Sequence, residues 1–503
     1  MNREKVLKIL KYVFCISIIL VLCLYKVEKY FQNDLFFDIK TGESLLKYGL
    51  DFKDHFSFIP NLKYLYHHYL YDLLMIFIYR KFNFAGIGIF FLMIYSIFGI
   101  VVFAVNKSRS KSYIFPFIVA VFTVYICRSY FTSRVQSITN VLFFLEVFLL
   151  EKLYKTGEKK YLVFLIIESI VIANIHMPLW ILTIILTLPF VAEMALVKLS
   201  KKVNILKNVK LEKPKNEKFF FIGFVLLCLC GLISPFKLYP YVFLTKTLFN
   251  SSYNYIIEIT PPALFYFKLY VIMLVLYLFS SYFGLLKLSF RNFCMVVGLF
   301  VLGLIAGRNM IYPLMILPSL FLYSISINNK IEFKKIKSFF NKINWTIIYP
   351  ILIILIGALY INLINKVDYL HSDFYIRDYF PYKSVKYLKE KTDYKNITIY
   401  NDFNYGSYME FYDIPVFIDS RAEVYIKELN GGKDVFSDWV KTNDLEEWKK
   451  VFKKYDFEYA LVEKYSNIGF SLQNDKDYKK IMEENDTYVL YQKINKEKKT
   501  KSK

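Results

Sequence analysis

The sequence predicts an α-helical polytopic membrane protein with a small α/β domain at its C-terminal end. The 503 residues are 56% hydrophobic and 19% aromatic, which is far more apolar than an ordinary soluble protein of this length. Apolar windows of about 20 residues, long enough to cross a bilayer, recur through most of the chain. From Lys366 onward they give way to short strand and helix patterns.

The apolar windows predict about eleven transmembrane helices in a domain of residues 1–365. We place them near residues 7–25, 85–105, 113–128, 137–151, 160–174, 178–197, 219–235, 264–286, 292–306, 310–327 and 344–363. Residues 67–80 form a further apolar segment, but its uncharged core is too short to span. We interpret it as a juxtamembrane or re-entrant helix on the outer face.

The distribution of lysine and arginine predicts the orientation. If residues 67–80 do not span, most basic residues fall in loops on the side of the N-terminus, including loops 198–218 and 328–343. The positive-inside rule makes that side cytoplasmic, so the C-terminal domain, residues 366–503 with its basic tail, is expected outside the cytoplasm. The same rule accounts for the net charge of +23, and no nucleic-acid partner is predicted.

The C-terminal domain alternates strand and helix patterns. The predicted strands are ITIYND, PVFIDSR, EYALVEK and TYVLYQKI, and the predicted helices are DLEEWKKVFKKY and DKDYKKIMEE. Such alternation indicates a small α/β fold.

Several classes of chemistry lack their sequence signals. The six cysteines lie within apolar runs, which indicates neither a disulfide framework nor a zinc site. The sequence contains no P-loop, H-E-x-x-H, G-x-S-x-G or dinucleotide fingerprint. ATP-driven transport, zinc proteolysis, serine hydrolysis and NAD chemistry therefore lose support.

Polar residues of varied type collect in the predicted outer loops, and we take them as site candidates. Ionisable groups beside apolar spans are costly unless they are paired or functional, so this face is the predicted working face. The first outer loop, residues 26–84, and the later loops supply Asp34, Asp38, His67, His68, Arg134, Gln136, Asn174, His176, Glu258 and Arg308.

Asp34 and Asp38 are four residues apart, so on a helix they share a face. They could jointly hold a divalent cation, or one could act as a base. The alternative is a solvated helix start followed by a turn at Thr41 and Gly42. His67 and His68 point about 100° apart on a helix, so only one could ligate an ion or donate to a phosphate; otherwise both are interfacial.

The remaining candidates also have two interpretations. Arg134 and Arg308 could clamp a phosphate or anchor the spans at the interface. Glu258 could be an acid, a ligand or the partner of an arginine, and His176 could make a helix-turn hydrogen bond. In the C-terminal domain, IDSRAE could bind the acceptor or form a salt bridge at a strand end.

Several of these segments, in this order, resemble bacterial polytopic proteins similar to the GT-C glycosyltransferases. They are DLFFDIKTGE, GLDFKDHFSF, HHYLYDLL, RVQ at 134–136, ANIH at 173–176, SPF at 234–236, GRN at 307–309, NDFNYGSY and VFIDSRAE. The resemblance implies a GT-C-like fold in the bacterial cytoplasmic membrane. It also implies transfer of a sugar from a polyprenyl-phosphate donor to a glycan, lipid or protein acceptor outside the cytoplasm.

In that superfamily a first-loop aspartate serves as base or metal ligand, which implies this role for Asp34 or Asp38, with Mg²⁺ or Mn²⁺ as the candidate metal. The adjacent Asp-Glu pair of the protein mannosyltransferases is absent, so the choice between the two aspartates stays open. Two other classes remain as alternatives: a transporter or flippase of lipid-linked glycans, and a non-catalytic envelope assembly protein.

Overall fold

A computed structural model describes residues 3–25, 31–200, 211–248, 255–256, 258, 260–262, 268–282, 289–324, 344–364, 379–430 and 432–494. The chain divides into two compact units. We call Met1–Lys29, Gly88–Thr245 and Ile256–Val367 the helical unit, and Tyr30–Ile87, Lys246–Tyr255 and Asp368–Lys503 the mixed unit. The predicted loop 328–343 lies outside the described residues.

Most of the helical unit consists of apolar helices of varied length. They are α1 (Arg3–Tyr25), the later part of α3 (Tyr69–Ser108), α4 (Ile114–Cys127), α5 (Gln136–Thr156), α6 (Lys159–Ile175), α7 (Ile181–Leu199), α8 (Glu217–Leu229), α9 (Tyr239–Leu248), α10 (Lys268–Tyr282), α11 (Phe290–Ile305), α12 (Ile311–Ser324) and α13 (Trp345–Ile364). Short 3-10 turns occur at Arg128–Tyr130, Met177–Leu179, Cys230–Leu232 and Gly307–Met310.

Each of the eleven predicted windows contains a helix, but the count of eleven transmembrane spans is not supported. Among the described residues, four helical segments are long and apolar enough to cross a membrane: Arg3–Tyr25, Tyr69–Ser108, Met177–Leu199 and Trp345–Ile364. Several others are apolar but shorter, as at Phe290–Ile305, or carry charges, as α5 and α6 do. The sequence windows counted every apolar run as a span, although several of the helices that form there have fewer than 18 residues or carry charged side chains.

The segment predicted as a separate helix at 67–80 is the start of α3. Helical turns continue from Tyr69 to Ser108, but Asn83 interrupts them with φ 54° and ψ −160°. A residue with this backbone conformation cannot continue an α-helix, so the chain bends there. The apolar pattern showed both parts, and asparagine is one of the residues that most readily accept a positive φ.

A buried arginine ties four parts of the helical unit together. Arg291 on α11 donates to Glu151 of α5 at 2.9 Å, to Glu193 of α7 at 2.6 Å and to Glu212 at 2.8 Å. Its guanidinium also lies 4.9 Å from the ring of Tyr154. Arg291 is 1% exposed, so these bonds replace the water that the charge has lost.

The mixed unit combines the first loop with the C-terminal residues. Its helices are α2 (Asp34–Tyr48), the start of α3, α14 (Tyr382–Lys391), α15 (Gly406–Phe411), α16 (Ala422–Tyr425), α17 (Lys427–Asn430), α18 (Val435–Lys441), α19 (Trp448–Tyr455) and α20 (Asn467–Gln473). The strands are β1 (Ile399–Tyr400), β2 (Tyr459–Glu463), β3 (Tyr478–Glu484) and β4 (Tyr488–Lys493), in the order β1-β2-β4-β3.

The sheet confirms the predicted small C-terminal sheet and corrects two of its elements. β1 and β2 are parallel, whereas β4 is antiparallel to both β2 and β3. The predicted helix DKDYKKIMEE is strand β3, because its residues pair with β4 at the sheet edge, where charged side chains remain solvated. The predicted strand PVFIDSR makes only an isolated bridge from Val416 to Ser57.

Removal of Arg291 should destabilise the helical unit strongly. Arg291→Met leaves the buried carboxylates of Glu151 and Glu193 without their main partner, and we expect a loss of about 3–5 kcal/mol. Lys198→Gln is the control, because that exposed pair with Glu217 should contribute at most about 1 kcal/mol. Denaturant unfolding of the full-length protein in detergent measures the free energy of unfolding of both variants. Equal values would contradict the stabilising role of Arg291.

Candidate functional site

The first candidate aspartates lie on helix α2. Asp34 begins the helix, where a negative charge interacts favourably with the helix dipole, and Gly49 ends it with φ 71°. Most apolar side chains in the first three turns of α2 are buried, and so is Asp38, which is 2% exposed. Thr41 and Gly42 lie inside α2, so the turn considered for them from the sequence is wrong.

Gly42 allows α2 to lie directly against the start of α3. A Cβ atom at this position would stand 2.3 Å from the backbone oxygen of Asp72 and 2.7 Å from a methyl carbon of Ile76. No side chain fits in that space, so only glycine permits this close approach. The contact brings Asp38 on one helix beside His68 and Asp72 at the start of the other.

Asp38, His68 and Asp72 form the candidate metal cluster of the described residues. Each offers one ligand atom, and these atoms lie within 4.8 Å of one another. His68 Nδ1 is 3.9 Å from Asp38 Oδ1, and the His68 side chain is only 11% exposed. Asp72 is fully buried, and a side-chain hydrogen bond links its carboxyl group to that of Asp38.

These three residues fit a divalent cation. Metal–ligand bonds to carboxylate oxygen and imidazole nitrogen measure about 2.0–2.4 Å, so one ion could lie between atoms at this spacing. Two buried carboxylates side by side repel each other unless a proton or a cation lies between them. The donor set of two oxygens and one nitrogen suits Mg²⁺, Mn²⁺ or Zn²⁺.

His67 faces away from this cluster toward the IDSRAE segment. Its Nδ1 lies 3.4 Å from Glu423 Oε1, and its ring meets that of His68 edge to face at 4.1 Å. Burial, together with the positive charge of Arg421, lowers the pKa of His67 to about 3. Burial raises the pKa of Glu423 to about 7. His67 is therefore a neutral imidazole near neutral pH.

Arg421 is a buried cation of the mixed unit that contacts several acids and two aromatic rings. Its guanidinium, which is fully buried, bonds Asp419 and Glu410 at 2.9 Å and lies 2.9 Å from Asp54. The rings of Phe56 and Tyr64 each lie 4.7 Å from it. The acceptors come from the first loop and from the C-terminal segment, so one side chain holds both in place.

The protonation of these acids differs. Burial disfavours ionisation of Asp419, but Arg421 outweighs it, and the pKa of Asp419 lies below its usual value. Burial raises the pKa of Glu410 well above its usual value; Arg421 opposes this shift and the negative charge of Asp419 adds to it. Glu410 is therefore the protonated member of this pair.

Buried acids outnumber buried cations around the cluster. Besides Arg421, the acidic side chains that the structure buries in this region are Asp38, Asp54, Asp72, Glu410, Asp419 and Glu423. One guanidinium cannot neutralise all of them. Protons compensate part of this charge, as at Glu410, and a bound cation would compensate the part at Asp38 and Asp72.

The candidates in the helical unit form two smaller groups. Arg134 donates to Glu258 at 2.6 Å, and the backbone N–H of Arg308 donates to the carbonyl of Glu258 at 3.1 Å. His176 Nδ1 lies 3.2 Å from the hydroxyl of Thr139, one turn after Gln136, where α5 begins. Asn174 donates to the carbonyls of Ile170 and Ile233 at the end of α6.

Solved structures share this architecture. The oligosaccharyltransferase of Archaeoglobus fulgidus, crystallised with a tethered acceptor peptide containing the NVT sequon, matches 95% of this chain and 74% of its own, with a TM-score of 0.50 and 10% identity. The chain has a GT-C-like fold. The apo form of the same enzyme matches 92% of this chain and 70% of its own, with a TM-score of 0.48 and 10% identity.

No family model matches the sequence, and no curated protein matches it. At 10% identity the structural likeness shows the fold alone. The roles of individual residues in this GT-C-like chain therefore rest on its own geometry.

Asp72 is the member of the cluster that sequence reasoning missed as a ligand candidate. It follows His68 by four residues, so the two share a helix face, as Asp34 and Asp38 do. That signal was present in HHYLYDLL. Asp34 lies at the start of α2, close enough to Glu423 to raise its pKa, but it is not a member of the cluster.

Gly42→Ala should disrupt the cluster. The added methyl group must push α2 away from the backbone of Asp72, which we expect to cost about 1–3 kcal/mol and to separate Asp38 from Asp72. Gly298→Ala is the matched control, since it adds a methyl to a helix where no atom lies within 4 Å. Unfolding and Mn²⁺ affinity are measured on both, and an unchanged Gly42→Ala protein would contradict this packing.

Asp419 should make the stability of the mixed unit acid-labile. Its lowered pKa means that its stabilisation is complete above the unfolded value of about 3.9 and is lost as the pH falls through the folded value. Glu410 acts oppositely, because its raised pKa makes the folded protein hold a proton that the unfolded chain releases.

We therefore expect Asp419→Asn to cost about 3–5 kcal/mol near neutral pH, as for a broken buried ion pair. Glu410→Gln should cost about 1 kcal/mol or less, because an amide oxygen can still accept from Arg421. Tryptophan fluorescence follows unfolding of the full-length protein, since Trp439 and Trp448 lie in the mixed unit. Equal losses in the two variants would contradict the assigned protonation.

Proposed function

We propose that this chain is a membrane glycosyltransferase that moves a sugar from a polyprenyl-phosphate donor to an acceptor outside the cytoplasm of a bacterial cell. The observation that carries the proposal is the buried cluster of Asp38, His68 and Asp72 in a chain of GT-C-like fold. The acceptor is a cell-envelope glycan, a lipid or a protein. The N-terminus is cytoplasmic, and the mixed unit faces outward.

The proposed chemistry has two requirements. An acceptor hydroxyl must lose its proton to a base, and the negative charge that develops on the departing phosphate must be stabilised. A divalent cation held by Asp38, His68 and Asp72 would supply that positive charge.

Asp34 is the proposed base. It lies on α2 one helical turn before Asp38, and it is partly exposed where Asp38 is buried. A ligand carboxylate is committed to its cation, whereas a carboxylate with access to solvent can accept a proton and release it. This assigns different roles to the two aspartates that the sequence left equivalent.

Arg134 and Arg308 are the proposed phosphate contacts of the helical unit. The ion pair with Glu258 holds the Arg134 guanidinium in one position, and the backbone bond from Arg308 fixes that residue beside the same glutamate. Glu258 is about half exposed, so an arriving phosphate could displace it from Arg134. Gln136, Asn174 and His176 are proposed as further substrate contacts within the helical unit, and His67 as a substrate contact within the mixed unit.

The assay that tests this function follows release of polyprenyl phosphate from polyprenyl-phosphate sugars by the full-length protein. We expect Asp34→Asn to lower kcat by about 10²-fold or more and to leave Mn²⁺ affinity unchanged, as for loss of a general base. Asp38→Asn and Asp72→Asn should lower both, because each removes a ligand. Glu43→Gln is the control, since Glu43 is an exposed acid on the same helix.

Three results would contradict the proposal. Turnover that survives in Asp34→Asn and Asp38→Asn would remove the catalytic assignment. Wild-type turnover that a chelator does not affect would contradict a role for a metal ion. Absence of turnover with every donor, in a protein that still binds Mn²⁺, would favour a flippase or an assembly protein with the same fold.

A further inference from the structure

Two glutamates in the helical unit have no role in the proposed transfer reaction. Glu146 lies on α5 and Glu168 on α6, two helices that pack against each other as an antiparallel hairpin. Gly157, with φ 66°, ends α5, and each glutamate lies eleven residues from it. Both are therefore about 16 Å along the hairpin from its turn, which places them opposite each other.

The surroundings of this glutamate pair are apolar. Glu146 is 2% exposed and Glu168 is 8% exposed. The residues one turn away on the same faces are the buried Phe143 and Leu150 of α5 and the buried Leu165 and Ile172 of α6, all at most 1% exposed. Water cannot solvate the two carboxyl groups in such a position.

No hydrogen bond compensates the burial. None of the four carboxylate oxygens has a partner within the described ranges of the chain. The two carboxyl groups act on each other electrostatically. Two ionised carboxylates that face each other in an apolar core are strongly unfavourable, because each loses its hydration and repels the other.

Several other acidic side chains on these helices and on their neighbours are paired with cations. Glu151 and Glu193 bond Arg291, Glu158 pairs with Lys160, and Glu217 pairs with Lys198. Further titratable side chains on α5, α6 and the elements packed against them are Lys152, Tyr154, Lys155, Lys159, Tyr161, Lys218, Cys228, Cys230 and Tyr312. Glu168 is the charged group that acts on Glu146.

We propose that Glu146 and Glu168 form a proton-binding site, in which the two carboxyl groups hold one proton between them at neutral pH. Burial in apolar surroundings favours the uncharged form of a carboxyl group, and a second acid close by strengthens this preference. The two groups then titrate as one coupled unit. This site is independent of the glycosyl-transfer proposal, because none of its residues belongs to the metal cluster.

Residue-specific labelling of the wild-type protein tests the protonation. An apolar carbodiimide reacts with protonated carboxyl groups, and mass spectrometry of the full-length protein in detergent locates the label. At about pH 7, where an ordinary glutamate is ionised, we expect label on Glu146 or Glu168 and none on Glu158, the exposed glutamate at the hairpin turn. Labelling should decrease as the pH rises. Absence of label on both buried glutamates would overturn the proposal.

Infrared spectroscopy tests the coupling. The carbonyl stretch of a protonated carboxyl group is followed with pH in wild type, in Glu146→Gln and Glu168→Gln, and in the double variant, which defines the baseline. In each single variant the remaining carboxyl faces a neutral amide, so its band should disappear about one pH unit or more lower than in wild type.

The control variant is Glu158→Gln, whose spectrum should match that of the wild type. A band that halves in each single variant without any shift in pH would show two independent acids and overturn the shared site. A wild-type spectrum identical to that of the double variant would do the same. If the glutamine variants fail to fold, the labelling of the wild type still decides the protonation.

Discussion

The mixed unit depends on the burial of one positive charge, the guanidinium of Arg421. A buried guanidinium must be surrounded by acceptors, and here they come from Asp54 in the first loop and from Glu410 and Asp419 near the C-terminal sheet. Segments more than 350 residues apart in sequence are thereby fixed to one side chain. Gly406 supports the arrangement, because a Cβ atom at that position would stand 2.1 Å from the carbonyl oxygen of Ile418.

This arrangement also sets the electrostatics of the metal cluster. Arg421 lowers the pKa of His67 and of Asp419, but it cannot balance every acid near it. The surplus is clearest at Asp38 and Asp72, two buried acids whose side chains are linked by a hydrogen bond to each other. Buried acids in such an arrangement are candidates for a functional site.

The sequence predicted the helical class, the C-terminal sheet and the polar character of the first loop, because periodicity and composition are local properties. It did not predict which acids meet. In the sequence, Asp72 is only a charge that shortens an apolar segment. Gly42 suggests a turn in the sequence, whereas in the structure it permits a close contact between two helices. The span count was too high because an apolar run was counted as a span even where its helix is short or carries charges. DKDYKKIMEE became a strand through pairing with β4.

Three groups of buried charged residues differ in how completely their charges are neutralised. This difference separates residues with a structural role from candidates for a functional one. Around Arg291, the acids are bonded to the arginine and, at Glu151, also to Lys155, so nothing remains for a ligand to satisfy. At Asp38 and Asp72 a cation would complete the charge balance, and His68 provides it with a neutral third ligand. At Glu146 and Glu168 no histidine or further acid completes a metal-ligand group among the described residues. A proton therefore satisfies the pair that a metal ion could not.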